Sequence, residues 1–422
     1  MSVLPVPVTF CLIFILTFEL VSPLSRHPLL LIVSFDGFRH DFFTKRATPG
    51  LNRFKTDGTH APFTYNVFPT KTFPNHHSIA TGLFPESHGV LGNEVYDPIL
   101  RRILHFGPEM YNTEGVTPIW TLNQMAASDR YSGVMMWPGG TFSYSGITPK
   151  FHHAWNMSVP WEWRVDTATD WFKHASTPAN LVVLYFEEPD TTAHTFGPES
   201  PQVLSYIQKV DNITTYLRQS LVSKGLLYKV NVVLLSDHGM ATVTPQRIFN
   251  LTHYINKAFF QIVDTSPVLQ IRPTKGKESV VYNALKTASQ TANFSVYQSS
   301  ELPARWHYAQ SARTPPILAV ADIGYAFQDL IEWYQDWYQR KFHITLSPTS
   351  TLGLHGYDNN EPCMRPFFIA SGPLVKTGHS VQPFQTVDLY SLFSVILGVT
   401  PASNNGTFSN VRGILKNPPA AG

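Results

Sequence analysis

Short, unbroken apolar runs that each stop on polar or acidic residues constrain the fold of this chain more than any other feature. Leu29 to Phe35 runs into Asp36-Gly37, Leu181 to Phe186 into Glu187-Glu188-Pro189-Asp190, and Val230 to Leu235 into Ser236-Asp237-His238-Gly239. Runs of strand length without polar alternation suit strands buried on both faces. Helical patterns lie between them, for example over residues 205–221, where apolar residues recur at helical spacing. Strands alternating with helices predict an α/β fold: a mostly parallel sheet covered by helices on both faces. In such sheets ligands bind beyond the carboxyl ends of the strands, and all three runs deliver acidic residues to that edge. The chain has no internal repeats or low-complexity tracts, and residues 244–315 read as an insertion or subdomain within one fold. Residues 329–350 are aromatic, with Trp333 and Trp337, and Tyr334 and Tyr338, at i, i+4 spacing; they read as a capping helix packing its own face, with a substrate-side or lipid-side lid as the alternative.

With 422 residues, 43% of them hydrophobic, the chain can bury a substantial core. A net charge of +2 with only 14% charged residues offers no basic stripe, which excludes a nucleic-acid polymer as partner. Residues 3–20 are apolar, with a centre of signal-peptide length, while Pro5, Pro7 and Glu19 argue against a full membrane span. Residues 1–25 are therefore expected to be a signal peptide or an anchor, and the protein to be secreted or held on the extracellular face. A membrane tether would require an uncleaved leader or a further C-terminal anchor. Five Asn-x-Ser/Thr triplets, at Asn156, Asn212, Asn250, Asn293 and Asn405, agree on the secretory route as glycosylation sites. Of the two cysteines, Cys11 lies in the leader, so Cys363 has no partner for an intrachain disulfide and reads as a half-buried apolar filler.

The polar ends of the runs carry the chemistry. Asp36 ends one run before a glycine. Asp190 and His194 are four apart, so one helical turn would put both on a single face. Asp237 and His238 end another run, and His355 lies in Gly353-Leu354-His355-Gly356, whose glycines suit a loop approaching a site closely. Singly, each reads as a cap, a turn residue or an ordinary histidine; together they are three Asp and three His in equivalent places. Mixed carboxylate and imidazole donors favour zinc over the all-oxygen shells of magnesium and calcium. Six donors exceed what one catalytic zinc with an open position needs, and fit the two-ion clamp of phosphoryl transfer. A nucleophilic hydroxyl is offered by residues 68–78, where Thr70, Thr72 and Ser78 are chemically equivalent choices; metal coordination would activate any of them.

Three further stretches make the sequence recognisable: Ser34-Phe35-Asp36-Gly37-Phe38-Arg39, Thr70-Lys71-Thr72-Phe73-Pro74-Asn75-His76 and Thr81-Gly82-Leu83-Phe84-Pro85-Glu86-Ser87-His88-Gly89. With Glu187-Glu188-Pro189-Asp190-x-x-x-His194, Ser236-Asp237-His238-Gly239-Met240 and His355-Gly356-Tyr357-Asp358-Asn359, they closely resemble the ectonucleotide pyrophosphatase/phosphodiesterase family. The match is nearest to the short members of types 4 and 5 and implies an alkaline-phosphatase-like fold over residues 29–412. The resemblance implies one zinc held by Asp190, His194 and His355, and another by Asp36, Asp237, His238 and the oxygen of Thr72. It implies that Thr72 attacks phosphorus to form a threonyl phosphoester, that Asn93 donates to a non-bridging phosphate oxygen, and that Phe73 and Trp155 stack a nucleotide base. Trp155 stands where relatives commonly carry tyrosine, Trp163 replaces a usual acidic residue, and the disulfides of relatives are missing. The expected reaction is cleavage of extracellular nucleotides such as ATP, dinucleoside polyphosphates or NAD to a nucleoside 5′-monophosphate. A choline phosphodiesterase is disfavoured by Thr72-Phe73-Pro74-Asn75-His76, and a catalytically silent adhesion or receptor ectodomain by the intact metal and nucleophile positions. A phosphomonoesterase is disfavoured because the superfamily's phosphatases use serine.

Overall fold

The unbroken apolar run Leu29–Phe35 forms β1, buried along its whole length at the centre of the main sheet. The computed structural model describes residues 23–340, 343 and 345–419, with backbone alone at 336–338. The leader at residues 3–20 and the side chains of Trp337 and Tyr338 lie outside the described residues. In chain order the strands used below are β1, β2 (Gly58–Ala61), β3 (Ser132–Met135), β4 (Phe151–His153), β5 (Leu181–Phe186) and β6 (Val230–Leu235). They continue with β7 (Phe260–Ile262), β8 (Val268–Pro273), β9 (Phe294–Gln298), β10 (Ile317–Ala321), β11 (Phe368–Ser371) and β12 (His379–Ser380).

The main sheet has eight strands in the order β12-β2-β11-β6-β1-β5-β3-β4. β1 pairs in parallel with both β5 and β6, while β11 runs antiparallel to β6 and β2. Alternate residues of β1 point to opposite faces, and each face has its own core. Leu29, Leu31, Val33 and Phe35 join helices α2 (Trp161–Trp171) and α4 (Pro201–Ser223). Leu30 and Ile32 join α1 (Thr72–Thr81) and α5 (Asp388–Leu397). This is the α/β architecture covered on both faces that the run pattern predicts. Strands β7-β8-β10-β9 form a separate antiparallel sheet with its own core, and helix α3 (Asp190–Phe196) follows β5.

The aromatic stretch is helical over residues 329–339 and changes helix type part-way. An α-helical turn, Asp329–Trp333, passes into a π-helical turn, Tyr334–Gln339. It buries Leu330 and Tyr334 in the core of the antiparallel sheet, and Trp333 lines the cleft beside His194. Cys363 is half-buried and free, its thiol pushed up to about 11 chiefly by burial. Among the described residues no helix is long and apolar enough to cross a membrane.

Candidate metal centre and substrate cleft

The carboxyl ends of β1, β5 and β6 converge because the three strands are adjacent and parallel. β1 hands the chain to Asp36 and then to Gly37 at φ +66, where an added Cβ would lie 2.8 Å from Asp190 Cβ. Only glycine fits that left-handed, crowded position. Helix α3 starts on Asp190 and presents His194 one turn later; His355 follows Leu352–Leu354, which pairs with Ala241–Val243 just after His238. Asp190 Oδ1 lies 3.4 Å from His194 Nε2 and 3.5 Å from His355 Nε2. His238 Nε2 lies 3.2 Å from Asp36 Oδ1 and 3.1 Å from Asp237 Oδ2. The two groups touch through the stacked rings of His238 and His355, 3.6 Å apart.

The histidines are oriented as ligands are. Each directs Nδ1 at a backbone carbonyl: His194 at Gly353, 2.8 Å; His355 at Thr70, 2.8 Å; His238 at Gly239, 2.9 Å. With the proton assigned to Nδ1, each Nε2 lone pair faces the carboxylates. Asp36 Oδ1, Asp190 Oδ1 and Asp237 Oδ2 are buried without any hydrogen-bond donor. Buried carboxylate oxygens without donors are strongly unfavourable, and cations would satisfy all three. The residues therefore fit a metal, in the groupings Asp190, His194, His355; Asp36, Asp190, His238; and Asp36, His76, Asp237. The electrostatics reflect this crowding. Burial, then the charges of Asp237 and Asp190, push the Asp36 carboxyl well up. Burial alone would raise Asp237 too, but His238 and His76 outweigh it and hold it well down. Asp190 is held at about 2, against burial, by His194 and His355. Burial and then His238 push His355 well down.

The surroundings of the three candidate hydroxyls differ. Thr70 Oγ1 is buried and donates to Tyr357 O at 3.0 Å, and Ser78 Oγ is 2.9 Å from His88 Nε2, away from the cluster. Thr72 Oγ1 is 3.2 Å from His238 Nε2 and lines the cleft. Two neighbours escaped the sequence reading. Tyr185 donates its hydroxyl to Asp36 Oδ2 at 2.6 Å, and its one polar atom in an apolar run was the available signal. His76, one turn after Thr72, places Nδ1 3.3 Å from Asp237 Oδ2 and Nε2 2.9 Å from Ser34 Oγ. Phe73, Asn93 and Trp155 all line the same cleft, and Asn93 Oδ1 accepts the Phe73 N–H at 3.2 Å. Trp155 is 49% exposed. Trp163 is exposed and sits against His153. Asn156, Asn212, Asn293 and Asn405 are exposed and Asn250 is half-buried.

Comparison with known proteins agrees with this geometry. The model of the family "Type I phosphodiesterase / nucleotide pyrophosphatase" matches residues 30–358. Ectonucleotide pyrophosphatase/phosphodiesterase family member 5 of Homo sapiens is 37% identical over 392 residues, 92% of this chain and 78% of that protein. The bis(5'-adenosyl)-triphosphatase ENPP4 of Homo sapiens is 37% identical over 402 residues, 93% of this chain and 83% of that protein. A solved structure of murine family member 5, an inactive variant in complex with AMP, superposes with a TM-score of 0.84 at 37% identity. It covers 92% of this chain and 100% of that one. The human member 5 structure gives a TM-score of 0.84 at 36% identity, with the same coverage. With its fold, its converging Asp and His residues and these matches, the chain belongs to the ectonucleotide pyrophosphatase/phosphodiesterase family and is a hydrolytic enzyme of alkaline-phosphatase-like fold.

Proposed function

We propose that the protein is a two-zinc nucleotide pyrophosphatase/phosphodiesterase of the secretory route, releasing nucleoside 5′-monophosphates with Thr72 as nucleophile. The observation that carries this reading is the Thr72 hydroxyl, 3.2 Å from His238 Nε2 and beside carboxylate oxygens that lack donors. Relatives support the substrate class: one is named a bis(5'-adenosyl)-triphosphatase, and the inactive murine variant, a threonine-to-alanine change, is in complex with AMP. Asp190, His194 and His355 would hold one zinc, and Asp36, Asp237, His238 and Thr72 the other. When bound, the ions supply Lewis acidity that lowers the hydroxyl pKa and stabilises phosphate charge.

The protein's own part follows from its geometry. Thr72 Oγ forms a bond to phosphorus as the leaving half departs, and water then hydrolyses the threonyl phosphoester. Asn93 donates to a non-bridging oxygen. Thr72 is the first residue of α1, so the partial positive charge of that helix end favours an anion there. Tyr185 and His76 orient Asp36 and Asp237, and Phe73 and Trp155 stack the base. We read the catalytic domain as residues 29–412, with 244–315 inserted. The leader and the five sequons support export, so the ligand is a small extracellular nucleotide rather than a polymer.

The test is purified protein with ATP, diadenosine triphosphate, NAD and glycerophosphocholine, with and without chelator, products resolved by chromatography. Nucleoside 5′-monophosphate should form from the nucleotides, and chelation should abolish it. Turnover of glycerophosphocholine alone would replace this reading with a choline phosphodiesterase.

A further inference from the structure

The loop joining β7 to β8 leaves the antiparallel sheet and ends against the start of α1. Lys71, the residue before Thr72, makes no side-chain cap on that helix. Its side chain runs to the loop instead, where Nζ donates to Asp264 Oδ2 and to Thr265 O, both at 2.7 Å. Only 2% of the Lys71 side chain and 1% of the Asp264 side chain are exposed. The same carboxylate meets a second segment of the site. Gly92, the residue before Asn93, packs so closely on it that an added Cβ would lie 2.0 Å from Asp264 Oδ2. One buried side chain therefore touches the residues that precede both Thr72 and Asn93.

The loop is itself fastened from several sides. Asp264 Oδ1 accepts the Thr265 N–H at 2.9 Å. Asp329 accepts the Ser266 N–H at 2.7 Å and its hydroxyl at 2.6 Å. Burial raises the Asp329 carboxyl to about 6, with Ser266 and Lys71 acting against it, so the lysine charge is shared between the two carboxylates. Gln270 of β8 donates its side-chain N–H to Leu91 O at 3.2 Å. Gly356, which follows His355, closes the remaining side: an added Cβ would lie 2.7 Å from Pro267 Cδ and 3.2 Å from Lys71 Cε. Stability alone does not call for a buried ion pair here, because apolar side chains of like volume often serve as well. What the pair adds is direction. Attack needs the hydroxyl within about 3–3.5 Å of phosphorus, and a displacement of about 1 Å can cost about a hundredfold in rate.

We propose that Asp264 is a positioning residue for the reaction, setting the spacing of Thr72 and Asn93 through Lys71 and Gly92. It acts through those two neighbours rather than on a reacting atom. Losing its charge lets the first turn of α1 shift against the segment that carries Asn93. The inference rests on the proposed function, with Thr72 as nucleophile, and extends it to the antiparallel sheet, whose β7–β8 loop becomes part of the catalytic apparatus.

The test measures kcat and KM for thymidine 5′-monophosphate p-nitrophenyl ester on the full chain, with Tm and zinc content taken on the same samples. Asp264→Asn keeps the shape and removes the charge; it should lower kcat by roughly 10- to 100-fold with KM little changed. It also leaves the buried Lys71 charge without its nearest anion, so Tm should fall. Lys71→Met with Asp264→Asn removes that unpaired charge, and should restore most of the Tm while kcat stays low at unchanged zinc content. The double variant decides the matter even where the single one does not fold. A kcat that recovers together with Tm would mean that the pair serves the fold alone, and would overturn the inference. Wild-type kcat in Asp264→Asn, or a loss confined to KM, would overturn it too. Loss of zinc in step with loss of rate would assign Asp264 to the metal site instead. Thr72→Ala separates the two readings. If it abolishes turnover while the Asp264 variants match wild type, only this inference fails; if it keeps the wild-type rate, the nucleophile reading fails and this inference with it.

Discussion

Thr72 is set apart from Thr70 and Ser78 by its neighbours, not by its chemistry, since all three carry an ordinary hydroxyl. Thr72→Ala should reduce turnover to background while changing stability by less than about 1 kcal/mol, because a half-buried hydroxyl at a helix start contributes little to packing. Single-turnover kinetics alongside thermal unfolding would check both halves, and a folded variant with wild-type rate would remove Thr72 from the mechanism. Trp155→Ala should raise KM for ATP several-fold with a smaller effect on kcat, on the scale of about 1–3 kcal/mol for base stacking on an aromatic ring. Equal losses in kcat and KM would instead assign Trp155 to the fold. At this scale the Asp and His residues of the centre were legible because each ends an apolar run or sits in a glycine-flanked loop. Tyr185 and His76 were not, since their partners Asp36 and Asp237 lie 149 and 161 positions away in the chain, respectively.

Among elements, α2 is docked to the end of β5 by a buried ion pair. Arg164 Nη1 lies 2.6 Å from Glu187 Oε2, and Nη2 is 3.2 Å from Oε1. Arg164→Leu should destabilise the protein by about 3–5 kcal/mol, because it leaves the Glu187 carboxylate buried without its partner. Adding Glu187→Leu should recover part of that loss, and urea unfolding of the single and double variants measures the coupling. Additive losses would mean that the pair does not dock the helix. β1, β5, β6 and the α4 helix were readable from the sequence, since a buried strand leaves an unbroken apolar run and an amphipathic helix a period in the residues it buries. The aromatic stretch was readable as helical, but its spacing carried no record of the core that Leu330 and Tyr334 enter, which lies on strands remote in sequence.

For the molecule as a whole, the proposed metal centre would tie the ends of the paired strands β1, β5 and β6 to the start of α1 and to the loop carrying His355. Removing metal should therefore loosen the tie as well as stop catalysis. A ligand at 100 times its Kd stabilises the folded state by about 2.7 kcal/mol, so chelation should lower Tm by several degrees and zinc should restore it. Scanning calorimetry with and without chelator checks this, and an unchanged Tm with full activity would exclude a metal centre. Fold class, the family and the set of candidate ligand residues all followed from the order of residues, because strand and helix periods and motif spacings depend on near neighbours in the chain. Which hydroxyl reaches the centre, and that Lys71 is neutralised by an aspartate 193 positions away, were settled only by tertiary packing. Distances between residues far apart in sequence are set by how the layers pack, and local patterns carry no record of them.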